Sequence, residues 1–237
     1  MKKAIIVGAT SGIGRALAKL LAENDYKVGV TGRRTNLLID IQNEKPESYI
    51  IESFDISDTR SISEHLTTLT QKLGGLDLLV ISSGTGDLND TLDFSIEKRT
   101  IDTNVNGFTA IADWAFNYFE QQKYGHLVAI SSVAGLRGNR SAPSYAASKA
   151  YQINYLQGLK QKAQKIEGAV IITDIRPGFV DTPMAQGNVF WVASVDKAAR
   201  QIYTAIKCKK KTAYITKRWG IVALVMRLVP GWIYNRM

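Results

Sequence analysis

Short apolar runs alternate with helical stretches along most of this 237-residue chain. The apolar runs are nearly continuous, which is typical of parallel strands covered on both faces. Strand-like runs occupy residues 3–7, 26–31, 49–54, 76–82, 126–131, 169–175 and 212–215. Helical spacing occupies residues 13–23, 59–73, 96–122, 143–167 and 195–206. Right-handed crossovers then predict an α/β fold with a doubly wound parallel sheet, which binds ligands at the carboxyl ends of its strands.

The composition favours one domain in a reducing compartment. Hydrophobic residues make up 45% of the chain, and no Pro- or Ser-rich linker or repeat divides it. The single cysteine, Cys208, excludes an intrachain disulfide, and His65 and His126 are too few and too far apart to suggest a metal site. The apolar run before Gly8 is too short for a signal peptide. We therefore expect a cytoplasmic protein without a metal.

The positive charge is concentrated at the C-terminus. The net charge is +9, and residues 197–237 carry ten Lys or Arg and no acidic residue. The segment 219–229, W-G-I-V-A-L-V-M-R-L-V, is apolar but shorter than the roughly 20 residues that span a bilayer. We divide the chain into a domain at 1–216 and a helical tail at 217–237. The tail fits an anionic membrane surface, a second subunit or its own domain.

A glycine-rich loop joins the first predicted strand to the first predicted helix. It reads G-A-T-S-G-I-G, and glycines at such a turn let the backbone approach a ligand closely. Unpaired N–H groups at the start of the helix suit a pyrophosphate. The loop residues predicted to contact a dinucleotide are Gly8, Thr10, Ser11, Gly12, Ile13 and Gly14.

Tyr145 and Lys149 lie four residues apart, which places them on one face of a helix. Ser132 lies thirteen residues before Tyr145. The loop G-x-x-x-G-x-G, the motif Y-x-x-x-K and this serine, in this order, resemble the short-chain dehydrogenase/reductase family. Further matches are Asp55 in F-D-I-S, Asn104 in D-T-N-V-N-G and P-G-F-V-D-T at residues 177–182. The resemblance covers residues 1 to about 182.

The resemblance implies hydride transfer between a nicotinamide and a carbonyl or alcohol carbon. In it, Tyr145 is the acid/base, Lys149 binds the cofactor ribose and lowers the pKa of Tyr145, and Ser132 binds the reacting oxygen. Asn104 would hold a water in a relay from Lys149 to solvent. Beyond the glycine loop, the implied cofactor contacts are Asp55, Ser83, Gly84, Asn104, Tyr145, Lys149, Pro177, Gly178, Val180 and Thr182. The family pattern is broken by Val7, where Thr is common, and by S-S-G at residues 82–84, where N-N-A-G is usual.

The cofactor and substrate are predicted from two further segments. Gly32 stands where an NAD-selective site usually has an acidic residue, and Arg33 and Arg34 follow, so we expect NADP(H). After Thr182 the chain offers a pocket of Met184, Val189, Phe190 and Trp191 without Lys or Arg, which favours an apolar or uncharged carbonyl compound, although aromatic residues are also common in cores. A homodimer is expected.

Two other functions compete with the enzyme. A cofactor-binding sensor or scaffold would keep the nucleotide site without redox turnover. Nucleic-acid binding rests on the basic tail alone, because no array of stacking aromatics accompanies the charge, and it is not expected.

Overall fold

The computed structural model describes residues 1–185, 190–234 and 236; Val189 of the predicted pocket lies outside them. Its strands are β1 (Lys2–Val7), β2 (Tyr26–Gly32), β3 (Tyr49–Ser53), β4 (Leu78–Ile81), β5 (Tyr124–Ile130), β6 (Ala169–Pro177) and β7 (Thr212–Ile215). They form one parallel sheet in the order β3-β2-β1-β4-β5-β6-β7. The predicted doubly wound α/β fold is confirmed.

Helices cover both faces of this sheet. They are α1 (Gly12–Ala22), α2 (Thr35–Glu44), α3 (Ile62–Leu73), α4 (Phe94–Ile101), α5 (Phe108–Gln122), α6 (Pro143–Ala163), α7 (Val195–Lys207), α8 (Trp219–Leu228) and α9 (Gly231–Tyr234). The long helix predicted at 96–122 is in fact α4 and α5, joined by a π-helical segment at Asp102–Gly107. The helical spacing in the sequence did not predict α2.

The near-continuous apolar strands are explained by two cores, one on each face of the sheet. In β1, Ala4 and Ile6 pack into the core that includes residues of α1 and α7. Ile5 and Val7 pack into the other core, with residues of α3, α5 and α6. Successive strand residues point to opposite faces, so both sets must be apolar when both faces are covered.

The strand order reverses at β1, because β2 lies on one side of it and β4 on the other. The connections after β1 and β4 therefore leave the sheet in opposite directions and open a crevice at the carboxyl ends of these strands. Ligands bind at this position in doubly wound folds. The glycine loop follows β1, and the segment 82–84 follows β4, so both lie at the crevice.

The C-terminal tail folds back over the same side of the sheet, at the carboxyl ends of the strands. Trp219 and Ala223, on the inner face of α8, are buried, so this face packs on the chain's own domain. The basic residues at 207–211 lie at the amino end of β7, whereas α8 follows its carboxyl end. The cationic run is therefore separated from the apolar helix by the length of a strand. Within the described residues, no helix has the length and apolarity to cross a membrane.

Candidate active site

The glycine loop is fixed by close backbone contacts. Gly8 has φ of +92°, and a Cβ there would lie 2.5 Å from the backbone nitrogen of Ser83. A Cβ at Gly14 would overlap the carbonyl oxygen of Gly8, which explains how closely α1 packs on the loop. Ser11 precedes α1 without capping it by its side chain. No side chain of the described residues accepts a hydrogen bond from the first N–H groups of α1, an arrangement that fits a pyrophosphate.

Two arginines lie at the end of β2. Arg34 Nη2 donates hydrogen bonds to Thr10 Oγ1 at 2.6 Å and to Ser11 Oγ at 2.8 Å, which holds it against the glycine loop. Arg33 Nη1 lies 3.5 Å from Asp55 Oδ2, and its side chain is 67% exposed. A Cβ at Gly32 would lie 2.6 Å from Thr10 Cγ2. An acidic side chain at position 32 would therefore displace Thr10, and cations occupy the region instead.

Ser132, Tyr145 and Lys149 converge where β5 and α6 meet. Ser132 follows β5 and its Oγ accepts a hydrogen bond from the Ala134 N–H at 3.1 Å. Tyr145 and Lys149 lie in the first two turns of α6, which begins at Pro143, a favourable first residue for a helix. Lys149 Nζ lies 5.8 Å from the centroid of the Tyr145 ring. The predicted spacing thus brings the three side chains to one site.

Burial governs the ionisation of this site. It lowers the pKa of Lys149 to about 8, and the carboxylate of Asp174 opposes that effect. Burial also raises the pKa of Tyr145, while a hydrogen bond with Ser132 acts in the opposite direction. Lys149 was expected to lower the pKa of Tyr145, but in this structure the opposing contribution comes from Ser132. Tyr145 is therefore protonated at neutral pH, which is the form that donates a proton.

Asn104 lies in the π-helical segment and is fully buried. Its side-chain amide pairs with the backbone of Thr85 in both directions, at 2.9 and 2.6 Å, and also donates to Ser148 Oγ at 3.0 Å. These bonds hold the segment after β4 beside Lys149. The water relay implied for Asn104 stays a prediction.

A cleft of about 720 Å³ joins these parts. Of the predicted catalytic and cofactor residues, all line the cleft except Gly14, which packs under the loop, and Asn104, which lies behind segment 84–86. The far end of the cleft is apolar. It is lined by Leu88, Phe179, Met184, Phe190, Trp219, Val222, Met226 and Tyr234.

The structure brings only some of the predicted pocket residues to the cleft. Met184 and Phe190 line the cleft, whereas Trp191 does not and lies half-exposed beneath the guanidinium of Arg218, 5.1 Å from its ring centroid. Trp219 takes the inner position instead. Its ring lies 5.2 Å from Phe190 and 5.5 Å from Phe179, measured between centroids. Gly178 is required beneath it, because a Cβ there would overlap the Trp219 ring.

Three further residues contribute to the site, and the sequence motifs did not indicate them. A Cβ at Gly86 would overlap the Tyr145 ring, so this glycine leaves room for the phenol. Gln152 accepts a hydrogen bond from Lys149 Nζ at 3.0 Å. Arg137 binds the end of α8 through backbone carbonyls. The only local signal was the position of Gln152, which lies three residues after Lys149 and therefore on the same face of α6.

The comparisons with known proteins agree with this geometry. Residues 2–192 match the family model described as short chain dehydrogenase. An uncharacterized oxidoreductase of Staphylococcus aureus strain USA300 is 33% identical over 184 residues, which cover 76% of this chain and 79% of that protein. A serine dehydrogenase structure from Escherichia coli is 26% identical, with a TM-score of 0.69, over 75% of this chain and 82% of that one. An actinorhodin polyketide ketoreductase variant with NADPH shares the fold at 20% identity, with a TM-score of 0.79, over 90% of this chain and 94% of that one.

Proposed function

We propose that this chain, which belongs to the short-chain dehydrogenase family, is an NADP(H)-dependent oxidoreductase that interconverts a carbonyl and an alcohol. The observation that carries the proposal is the convergence of Ser132, Tyr145 and Lys149 on a cleft that also contains the glycine loop. The residues of this cleft fit a dinucleotide: close-packed glycines, free N–H groups at α1 and two arginines at the end of β2.

A bound nicotinamide would supply the hydride, and the chain supplies the proton and the positioning. In the reducing direction, the Tyr145 hydroxyl donates its proton to the carbonyl oxygen, which becomes the alcohol oxygen. Ser132 donates a hydrogen bond to the same oxygen and stabilises the charge that develops on it. The Lys149 ammonium then stabilises the phenolate that remains on Tyr145.

The preference for NADP(H) rests on the two arginines. A phosphate on the adenosine ribose would lie near the end of β2, where Arg33, Arg34, Thr10 and Ser11 provide donors without an acidic residue at position 32. Arg33 is the freer of the two, since its contact with Asp55 is long and exposed. Guanidinium groups bind phosphate oxygens through paired, charge-assisted hydrogen bonds.

The substrate we propose is an apolar or lipid-like carbonyl compound. The end of the cleft beyond Tyr145 is formed by the rings of Phe179, Phe190 and Trp219 and by the inner face of α8. Arg137 also borders the cleft, but its guanidinium is bonded to carbonyls of α8. A carboxylate or phosphate on the substrate would therefore lack a free cationic partner among the described residues of this region.

We also propose that the outer face of the tail contacts an anionic membrane surface. Ile221, Leu224, Val225 and Leu228 follow helical spacing, and each is more than half exposed. Trp232 of α9 is 67% exposed. Trp219, at the start of α8, is only 3% exposed and lines the cleft instead. The opposite face of the same helix lines the cleft, which would bring a lipid-like substrate close to the site.

Charge supports a membrane as the partner of this face. Lys217, Arg218, Arg227 and Arg236 flank it, and the tail carries no acidic residue. Each such cation contributes about 1 kcal/mol at an anionic surface. The lysines at 207–211 lie at the amino end of β7, the length of a strand away from α8, and are too far away to add to this contact.

Vesicle flotation tests the membrane contact. The wild type should float with vesicles that contain phosphatidylserine, less so at high salt, and not with neutral vesicles. Leu228→Glu should abolish flotation, whereas Leu92→Glu, which changes a similarly exposed leucine outside the tail, should not. If the wild type ignores vesicles and Leu228→Glu instead dissociates a dimer, the face is a subunit contact. The predicted homodimer and cytoplasmic location stay predictions.

The catalytic proposal is tested by Tyr145→Phe. The variant should bind NADPH with unchanged affinity but lose turnover of a panel of apolar ketones and aldehydes, because the ring remains and the proton donor is gone. Tyr151→Phe is the matched control, since the Tyr151 hydroxyl pairs with Thr109 at 2.8 Å outside the cleft. A wild type that binds NADPH but reduces no carbonyl would favour the sensor or scaffold. Near-normal turnover by Tyr145→Phe would refute its role as proton donor.

A further inference from the structure

We infer that Gln152 is a positioning residue that holds the Lys149 ammonium in its working orientation and occupies the direct path from Lys149 to the Asn104 carbonyl. Lys149 Nζ donates to Gln152 Oε1 at 3.0 Å, and Gln152 Nε2 donates to the Asn104 carbonyl oxygen at 2.9 Å. Gln152 is 1% exposed. The inference rests on the proposed function, in which the Lys149 ammonium stabilises the phenolate that remains on Tyr145.

The orientation of the Gln152 amide is determined by its neighbours. A backbone carbonyl only accepts hydrogen bonds and an ammonium only donates them, so Nε2 must face Asn104 and Oε1 must face Lys149. A reversed amide would set two donors against each other at Lys149 and two acceptors at Asn104. The amide dipole therefore points its negative end at Lys149.

Within the part of the chain that the structure describes, this bridge leaves Lys149 with one N–H that has no protein acceptor. The ammonium has three N–H groups. One binds the carbonyl of Ile130 at 3.0 Å and one binds Gln152, which leaves the third for the cleft. Because Ile130 and Gln152 hold the nitrogen from β5 and from α6, the third N–H is directed rather than freely rotating. A primary amide does not shuttle protons as water does, so the bridge stabilises charge rather than relaying it.

Gln152 also offsets part of the effect of burial, which lowers the pKa of Lys149. The titratable groups near Lys149 are Tyr145 on its own helix and Asp174 on β6, and Asp174 is already bonded to Arg176 and Ser131. The segment 102–107 faces Lys149 with the neutral Asn104, and Glu97 of α4 is bonded to the backbone N–H of Ser144. Asp174 is therefore partly neutralised, and Gln152 supplies a second, neutral contribution that favours the ammonium form.

The test measures the pKa of Lys149 directly, in the ligand-free protein, by NMR of lysines labelled with ¹³C at Cε. Gln152→Met keeps the volume and removes both polar contacts, so the pKa of Lys149 should fall by about one or more below the wild-type value, as the loss of a hydrogen bond to a charged group implies. Gln152→Glu places a carboxylate against the ammonium and should raise that pKa. Gln122→Met is the matched control, because Gln122 binds two backbone carbonyls outside the cleft.

The opposite signs of the two variants separate this role from a structural one. Damage to the fold would move both values the same way, and the control would share the change. NADPH affinity measured against pH gives a second readout: in Gln152→Met it should be lost at a lower pH than in the wild type. An unchanged Lys149 pKa in Gln152→Met would overturn the inference. Failure of the wild type to bind NADPH would instead refute the proposed function and leave the NMR result standing.

Discussion

Replacing Arg137 by alanine should release the C-terminal tail from the mouth of the cleft. Arg137 Nε donates to the Met226 carbonyl at 2.8 Å, and Nη2 donates to the Val229 carbonyl at 2.6 Å and more weakly to the Arg227 carbonyl at 3.3 Å. These carbonyls belong to the end of α8, where acceptors lack partners within the helix and a cation is favoured. One side chain thus caps the helix and ties it to the loop after Ser132.

The two short, charge-assisted bonds set the expected magnitude. Each is worth about 1.5–3 kcal/mol, and the low end applies because Arg137 is only half-buried. Their sum, about 3 kcal/mol, corresponds to about a hundredfold change in the equilibrium between docked and released tail. The contact of Arg137 with the Tyr234 ring, 5.6 Å from its centroid, adds a smaller contribution.

Hydrogen exchange of the α8 amides measures this equilibrium. Arg137→Ala should lower their protection by about a hundredfold and leave the strands unchanged, while Arg137→Lys should lie between, since it keeps the cation but not the paired geometry. Arg140→Ala is the control, because Arg140 is an exposed neighbour on the same loop. Full protection of α8 in Arg137→Ala would refute the reasoning. If Arg137→Ala releases the tail, the KM for an apolar substrate should rise, whereas the affinity for NADPH should not change.

Three further outcomes follow from the site. Arg33→Ala and Arg34→Ala should each weaken NADPH about tenfold or more and NADH much less, measured by fluorescence titration; equal losses for the two cofactors would contradict the assignment. Gly86→Ala should lower kcat without preventing NADPH binding, because its Cβ would displace the Tyr145 ring; unchanged kcat would show that the ring has room. Trp219→Ala should lower the free energy of unfolding by about 3–5 kcal/mol in urea titration, as for other buried aromatics, and a loss under 1 kcal/mol would mean that α8 is not docked in solution.

The sheet and the shared helix face of Tyr145 and Lys149 were predictable because their signals are local. Hydrophobic runs define strands that are covered on both faces, and the spacing of Tyr145 and Lys149 determines that they share a helix face whatever surrounds them. The glycine loop is similar, since its glycines and its place between a strand and a helix can be read from the local sequence. Such features do not depend on which distant segment comes to lie nearby.

The features that were missed depend on distant contacts. The helix at 96–122 is interrupted because Asn104 is held by Thr85 and Ser148, which the local sequence does not reveal. Helical spacing alone gave no reason to separate α4 from α5. The sequence does not distinguish Trp191 from Trp219 for the same reason: both are large and apolar, and only the packing of α8 on Gly178 decides which ring faces the cleft.

One part of the cleft is formed by residues within the family match, and the other part is formed by the C-terminal tail beyond it. The family match ends at residue 192, and it includes the glycine loop, the arginines and the residues Ser132, Tyr145 and Lys149. The apolar end is completed by Trp219, Val222, Met226 and Tyr234, all beyond that match. Cofactor and reaction can therefore be argued from the matched region, whereas the substrate must be argued from α8 and α9. Because the same helix is apolar on its outer face, substitutions on its two faces separate substrate binding from the proposed membrane contact: inner-face changes should alter KM but not flotation, and outer-face changes should alter flotation but not KM.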